Sequence, residues 1–317
     1  MSAAVAPSHL RAALSSYDAT EPLPSSDIQQ RPLSITLDGP TIVALALALV
    51  LLIHFLGSHP TEILVSLAAI FLLIRNDYRN FVSLGPGGTP STFRGYLRIS
   101  WLRLWTIRDP FTAPSPDPTR VPQRGILASR PLPYRPGPRP RVVGIAPQRQ
   151  LDQSGSRTCY LGLRRTMERL AAFSPLKFGT ERSCLEKHGL ALFARHPLQT
   201  NCQGEICHVH DSDHSMHMCL HPHDIDEVLR KGWGQRHPLA RKGRLLQMPV
   251  SQDFVMVYAP RNELELHITY RIIEAAIWYI LAEHVELGPL LNQGWSETTQ
   301  KPKVPSRLHS RPEPAGV

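Results

Sequence analysis

The sequence predicts an α+β fold, a small antiparallel sheet packed with helices, preceded by an N-terminal transmembrane segment or helical hairpin. Three observations carry this. Glu205 to Leu220 alternates polar and apolar residues with the two-residue period of a half-buried hairpin. Tyr160 to Ala172 and Leu264 to Tyr279 repeat apolar residues at helical spacing. Thr41 to Leu56 and Ile63 to Ile74 are almost wholly apolar. A Gly-x-Gly-x-x-Gly fingerprint, a Walker-type loop and a serine-nucleophile elbow are absent, so nucleotide and serine-hydrolase chemistries have no motif to stand on.

At 317 residues the chain has room for one substantial core plus appendages, and its thirty prolines mark linkers and loops. Residues 1 to 40, rich in Ser, Pro and Ala, are expected to form a disordered tail, and so are residues 291 to 317. Residues 41 to 75 are assigned to membrane segments. Neither apolar run alone comfortably reaches the roughly 20 residues of a spanning helix, so two short spans or one span plus an interfacial helix are both expected. Arginines at 75, 79, 94, 98, 103 and 108 follow, against a net acidic N-terminal tail. By the positive-inside bias this predicts an integral membrane protein, partnered by a lipid bilayer, with its C-terminal domain cytosolic.

Residues 76 to 109 form a juxtamembrane segment in which Tyr96 to Trp105 suits either an interfacial helix or a first strand. Residues 110 to 150 form a connector rich in proline and arginine. Its seven arginines face one aspartate between Thr112 and Gln150 but lack the aromatic interleaving of a base-stacking platform, so no nucleic-acid partner is expected. Residues 151 to 290 are read as the catalytic domain. After the Tyr160 to Ala172 helix, Ala191 to Phe193 is a short strand. Pro222 to Arg230 is a helix with proline in its first turn, acids at its start and Gly232 at its end. Asp253 to Tyr258 is a strand. Asn262 then caps the last helix, with Glu265 placed to reciprocate. Five cysteines without a Cys-x-x-Cys pair argue against a disulfide scaffold and a thiolate zinc site.

The candidate chemistry lies in the hairpin. Alternation puts His208 and His210 on one strand face, with His217 within reach from the second strand. Asp211 to His214 forms the turn, and Met216, Met218 and Leu220 face a core. Such a patch suits a divalent metal, or metal-free proton transfer in which one imidazole accepts and another donates. Polar surface is the bland alternative. Glu205 falls on the opposite face, so bringing it to the histidines requires a bulge. Trp233, between Gly232 and Gly234, can present its ring to a planar ligand or plug the core. Arg236 and His237 follow as an anion anchor and an acid–base group, and Arg261 reads as either a substrate anchor or a helix-start ion pair. Catalytic candidates are thus His208, His210, His217, His237 and Arg236. Substrate-contact candidates are Trp233, Arg261, Tyr258 and Glu205.

Several strings resemble the fungal luciferase-domain family. They are Glu205-Ile-Cys-His208-x-His210-Asp211, Ser215-x-His217-x-x-Leu220, Gly232-Trp-Gly-Gln-Arg-His-Pro-Leu-Ala240 and Tyr258-Ala-Pro-Arg-Asn-Glu263. Upstream, Phe93-Arg-Gly-Tyr96 and Leu132-Pro-Tyr-Arg135 are similar as well, and the resemblance spans roughly residues 75 to 287. It implies a membrane-associated oxygenase acting on a hydroxypyrone or related phenolic or polyketide metabolite, luciferase-like without necessarily being luminous. Molecular oxygen would be co-substrate, with no cofactor expected. In the family the pyrone, 3-hydroxyhispidin, reacts with oxygen and loses carbon dioxide. Two alternatives stand beside it: a small-molecule binding or scaffold protein without turnover, and a metalloenzyme ligated by His208, His210 and His217.

Overall fold

The structure, a computed structural model, describes residues 39–56, 60–199, 202–243 and 247–288. The chain begins with three helices, α1 (Gly39–Leu56), α2 (Pro60–Ser83) and α3 (Phe93–Arg103). A short hairpin of β1 (Val142–Gly144) and β2 (Gln148–Gln150) comes next, then helix α4 (Arg157–Phe173). The main sheet is built from β3 (Phe178–Arg182), β4 (Leu190–Ala194), β5 (Glu205–Val209), β6 (Met216–Cys219), β7 (Gly234–Arg236) and β8 (Phe254–Val257). Helix α5 (Pro222–Arg230) lies between β6 and β7, and α6 (Glu263–Leu281) ends the domain. The six strands run in the order β3-β4-β5-β6-β8-β7 with every neighbouring pair antiparallel. The predicted α+β fold with a small antiparallel sheet is therefore present.

The predicted transmembrane segment or hairpin is not. Among the described residues no helix is long and apolar enough to cross a membrane. With a rise of 1.5 Å per residue, the 18 residues of α1 extend about 27 Å, short of a hydrocarbon core of roughly 30 Å. In α2 the apolar stretch stops at Arg75, and the last two turns are built into the domain. There Phe81 is buried, and Asp77 accepts hydrogen bonds from Tyr96 Oη (2.9 Å) and Arg103 Nη1 (2.5 Å) on α3. The expectations that rested on a span are corrected with it: membrane association, a lipid bilayer as partner, and an integral-membrane placement with a cytosolic C-terminal domain. The tails expected at 1–40 and 291–317 lie outside the described residues, apart from Gly39 and Pro40.

Two apolar clusters sandwich the sheet. On one face α4 and α6 pack against β3 to β6. Leu163, Met167, Ile268, Ile272, Ala276 and Ile280 meet Met216, Met218, Val255 and Val257 there, all buried. Both helices start on side-chain caps that satisfy otherwise orphaned N–H groups: Ser156 Oγ accepts from Cys159 N (3.1 Å) and Asn262 Oδ1 from Glu265 N (3.0 Å). Glu265 does not close the expected capping box. Its carboxylate is taken by the Arg261 backbone N–H (2.9 Å) and guanidinium. On the other face Phe81, Tyr96, Ile99, Leu102, Ile145 and Leu239 form a smaller cluster. The segment read as juxtamembrane thus folds as helix α3 and covers the sheet. The connector does more than link, since it carries β1 and β2, the buried Leu127 and Leu132, and all three buried residues of β2.

One buried carboxylate gives a pH signature. Asp224, in the first turn of α5, accepts from Ile126 N (3.1 Å) and Leu127 N (2.8 Å), and a Cβ on the adjacent Gly125 would collide with it. Burial raises its pKa to about 6 despite those two donors. The protonated acid is therefore favoured by folding. Its contribution is complete below about pH 4 and is lost as pH rises through about 6. The stability of the wild type relative to Asp224→Asn is expected to fall by roughly 2–3 kcal/mol between pH 4 and pH 7, measured by urea unfolding. A pH-independent difference would assign the charged form to the fold.

Candidate functional site

The site forms where β5 and β6 pair. Their register sets His208 directly opposite His217, with Val209 opposite Met216, and places the turn from Asp211 to His214 beyond. Alternation then directs Met216 and Met218 into the helix-packed core and His208 and His217 to the other face. His210 joins them just past the strand end, where its N–H still pairs with Ser215 O (2.9 Å). The bulge that Glu205 needs is present. Leu192 pairs with Cys207 but Phe193 pairs with Glu205, leaving Ile206 as the extra residue. This brings the Glu205 carboxylate to His208, 2.5 Å from Nδ1.

His208, His210 and His217 are all buried, and their ligand atoms lie within 4.8 Å of one another. His210 Nε2 is 2.9 Å from His217 Nδ1, which is 3.3 Å from His208 Nε2. Each ring is held through its other nitrogen. His208 Nδ1 faces Glu205, His210 Nδ1 faces Ser215 Oγ (2.9 Å) and Asp213 Oδ1 (3.2 Å), and His217 Nε2 faces Gln148 Oε1 (2.8 Å). The Glu205 carboxylate also accepts from Ser183 Oγ (3.0 Å) and the Cys184 N–H (2.8 Å). Asp213 also accepts from Gln150 N (2.6 Å), Ser215 N (3.1 Å) and Ser215 Oγ (2.8 Å).

Burial opposes ionisation of both acids, but these hydrogen bonds and the neighbouring imidazoles more than offset it. The Glu205 carboxyl sits below its ordinary range and that of Asp213 is lowered to about 2. Burial acts the other way on the imidazoles. It lowers His210, and it drives His217 well below the usual histidine value with help from the adjacent His210 and His208.

The cluster opens on a cavity of about 90 Å³ between the sheet and the α2–α3 cap. His208, His217, His237 and Phe254 form its sheet side, while Thr89, Arg98, Leu102, Ile145 and Gln148 close the other. The Phe254 ring stacks on His217 at 5.0 Å between centroids, giving an aromatic floor. Gln148 reaches the site because the β1–β2 turn is tight. Gly144 sits at φ +80°, and a Cβ there would strike Pro147 O. The amide Nε2 of Gln148 is buried and has no hydrogen-bond partner among the described residues.

The other candidates from the sequence occupy different places. His237 lines the cavity, but Nε2 donates to Ile145 O (2.8 Å) and Nδ1 accepts from Leu239 N (3.1 Å), so both nitrogens are engaged. Burial holds its pKa at about 4. Arg236 spends its guanidinium on three carbonyls, Thr112 O (3.1 Å), Gln252 O (3.2 Å) and Ala240 O. Arg261 forms the helix-start ion pair with Glu265 and also donates to Pro136 O (2.7 Å). Trp233 is 1% exposed, within the core, and donates from its indole to Pro133 O (2.6 Å). Tyr258 donates to Gln235 Oε1 (3.1 Å) beneath the Arg135 guanidinium. None of Trp233, Arg236, Tyr258 and Arg261 lines the cavity.

Sequence reasoning missed Gln148, Asp213 and Phe254. A usable signal existed for Asp213: an acid three residues from each of two histidines, Glu205 before His208 and Asp213 after His210. A second grouping of potential ligands, Cys184, Cys202 and Glu205, offers no thiolate because the two sulfurs are joined in a disulfide.

An antiparallel sheet carrying a buried three-histidine centre under a small, mostly apolar cavity defines an enzyme-like α+β domain. Comparison with known proteins is more specific. A luciferase-domain family model matches residues 203–276, the stretch from the bulge through α6. The luciferase of Neonothopanus nambi is 34% identical over 232 residues, covering 67% of this chain and 83% of that protein. The luciferase of Armillaria mellea is 35% identical over 232 residues, covering 66% and 82%, and that of Armillaria ostoyae is 34% identical, covering 68% and 85%. No solved structure matches. The chain belongs to the luciferase-domain family, and at the level of that family it carries an oxidoreductase-type, oxygenase-like role.

Proposed function

We propose that the chain oxidises a phenolic or polyketide metabolite of the hydroxypyrone class with molecular oxygen, at the cavity floored by His208, His217 and Phe254. The observation that carries this reading is the buried histidine cluster opening on that cavity, inside the stretch matched by the luciferase family. A planar ring lies against Phe254 and the His237 edge. The substrate hydroxyl loses its proton at the cluster, where burial lowers the pKa of His210 and His217 below the usual histidine value. The Gln148 amide N–H, already desolvated, donates to the resulting enolate oxygen. Arg98, exposed on α3 at the mouth, offers a cation to acidic groups on the far end of the substrate. The present volume holds about three water-sized groups, so it accommodates oxygen and the reacting edge.

The test is oxygen uptake with simultaneous photon counting on the purified full-length chain, offered 3-hydroxyhispidin and simpler hydroxypyrones. About one oxygen consumed per pyrone, with or without light, is the expected result. Tight stoichiometric binding without oxygen uptake, in folded protein, would replace the enzyme with the binding-protein reading.

A further inference from the structure

We propose that His208, His210 and His217 bind a divalent first-row transition-metal ion whose open coordination positions face the cavity. Three features of the cluster lead there, and none depends on the identity of the substrate.

The first is the direction of the lone pairs. The nitrogens facing Glu205, Asp213 with Ser215, and the Gln148 carbonyl oxygen are the protonated ones, since those partners accept. The remaining three, His208 Nε2, His210 Nε2 and His217 Nδ1, are then bare and point at one another across 2.9 and 3.3 Å. Turning the Gln148 amide over would allow a proton on His217 Nδ1. That single proton satisfies His210 or His208 but not both, whereas one cation satisfies all three.

Spacing is the second feature. Two nitrogens about 2.1 Å from one ion, at angles between octahedral and tetrahedral, are about 3.0–3.4 Å apart. The separations of 2.9 and 3.3 Å match a small ion, and His208 and His217 stand opposite each other on paired strands.

The third is charge. Glu205 and Asp213 are buried carboxylates whose ion-pairing partners are His208 and His210, with no lysine or arginine among them. Arg149, a buried guanidinium next in sequence to Gln148, is already paired with Glu186. The two buried carboxylates stand behind the rings, and a cation in front of the rings is what such a donor set accommodates. The carboxylate–histidine–metal arrangement also fixes each ring's tautomer and raises its basicity as a ligand. Imidazole donors suit iron, zinc, cobalt, nickel and copper.

The experiment measures metal, not turnover, so its failure and the failure of the oxygenase reading are distinguishable. The full-length chain is purified without chelator from metal-supplemented culture, analysed for metal content, stripped, and titrated with Co2+. About one ion per chain, visible Co2+ absorption bands and a raised melting temperature on Co2+ addition are expected. The bands should vanish in His208→Ala and His217→Ala and persist in His223→Ala, which lies outside the site. Because a histidine variant can fail to fold, Glu205→Gln provides a graded control, expected to weaken Co2+ binding about 10–100-fold while the ligands remain. Folded wild type that holds no stoichiometric metal and shows no Co2+ bands overturns the proposal. So does full Co2+ binding by folded His217→Ala.

Discussion

His217→Ala is expected to lower the rate of pyrone-dependent oxygen uptake by about 10³-fold, equivalent to about 4 kcal/mol of transition-state stabilisation. His217 is the member of the cluster that touches both other imidazoles, lines the cavity, stacks on Phe254 and holds Gln148. Its removal breaks the cluster at which the hydroxyl loses its proton and frees the amide that steadies the enolate. Gln148→Leu separates these contributions. It keeps the volume and all three histidines but removes the donor, and a loss of about 10²–10³ in kcat with a smaller change in KM is expected for a group acting on developing charge. His237→Asn tests the third imidazole at the cavity. Both His237 nitrogens are already bonded to backbone, so a modest effect on kcat accompanied by reduced stability is expected. If folded His217→Ala retains more than about a tenth of wild-type turnover, the assignments of deprotonation and oxyanion stabilisation to this cluster fail together.

Parts of this site were legible in the sequence, and physical reasons separate them from the rest. The β5–β6 hairpin follows from a side-chain period of two, a local property, so His208, His217 and the Met216–Met218 core stripe could be placed from spacing alone. Helix α5 was legible from Pro222 at its start and Gly232 at its end. The bulge at Ile206 was not. It depends on how β4 registers against β5, and only that register brings Glu205 to the histidine face. Gln148 was hidden more deeply. It belongs to a three-residue strand in a segment whose proline and arginine content signals a linker, and it meets the cavity beside Arg98 and Leu102 of α3, more than forty residues away in sequence. The same distance misled the reading of the N-terminal region. Ile99 and Leu102, in a segment read as juxtamembrane and suited to an interfacial helix or a first strand, are spent with Phe81 of α2 on covering the second face of the sheet.

Trp233→Ala is expected to destabilise the fold by about 4–5 kcal/mol, a core-truncation cost and not a binding one. The indole is 1% exposed, and its Nε1–H reaches Pro133 O at 2.6 Å. The backbone around it is equally committed. Trp233 N donates to Val228 O (2.9 Å), closing α5, and Trp233 O accepts from Tyr258 N (2.9 Å), extending the β7–β8 ladder. The neighbouring glycines serve this placement. Gly232 turns the chain at φ +80°, and a side chain at position 234 would strike Met256 O across the strands. Truncation therefore leaves a large void between α5 and the sheet and strands the Pro133 carbonyl. That carbonyl ties down a segment also held by Leu132 N on Glu227 (2.9 Å) and Arg135 N on Lys231 O (2.9 Å). Trp233→Phe should recover most of the packing and lose chiefly the hydrogen bond, at about 1 kcal/mol. Urea unfolding at constant m-value measures both. The functional counterpart is what separates this account from a ring that stacks on substrate. Since Trp233 does not line the cavity, kcat/KM per folded molecule should stay within a few-fold of wild type in Trp233→Phe. A variant with wild-type stability but sharply reduced kcat/KM would show that the ring meets substrate in a conformation where the core has opened.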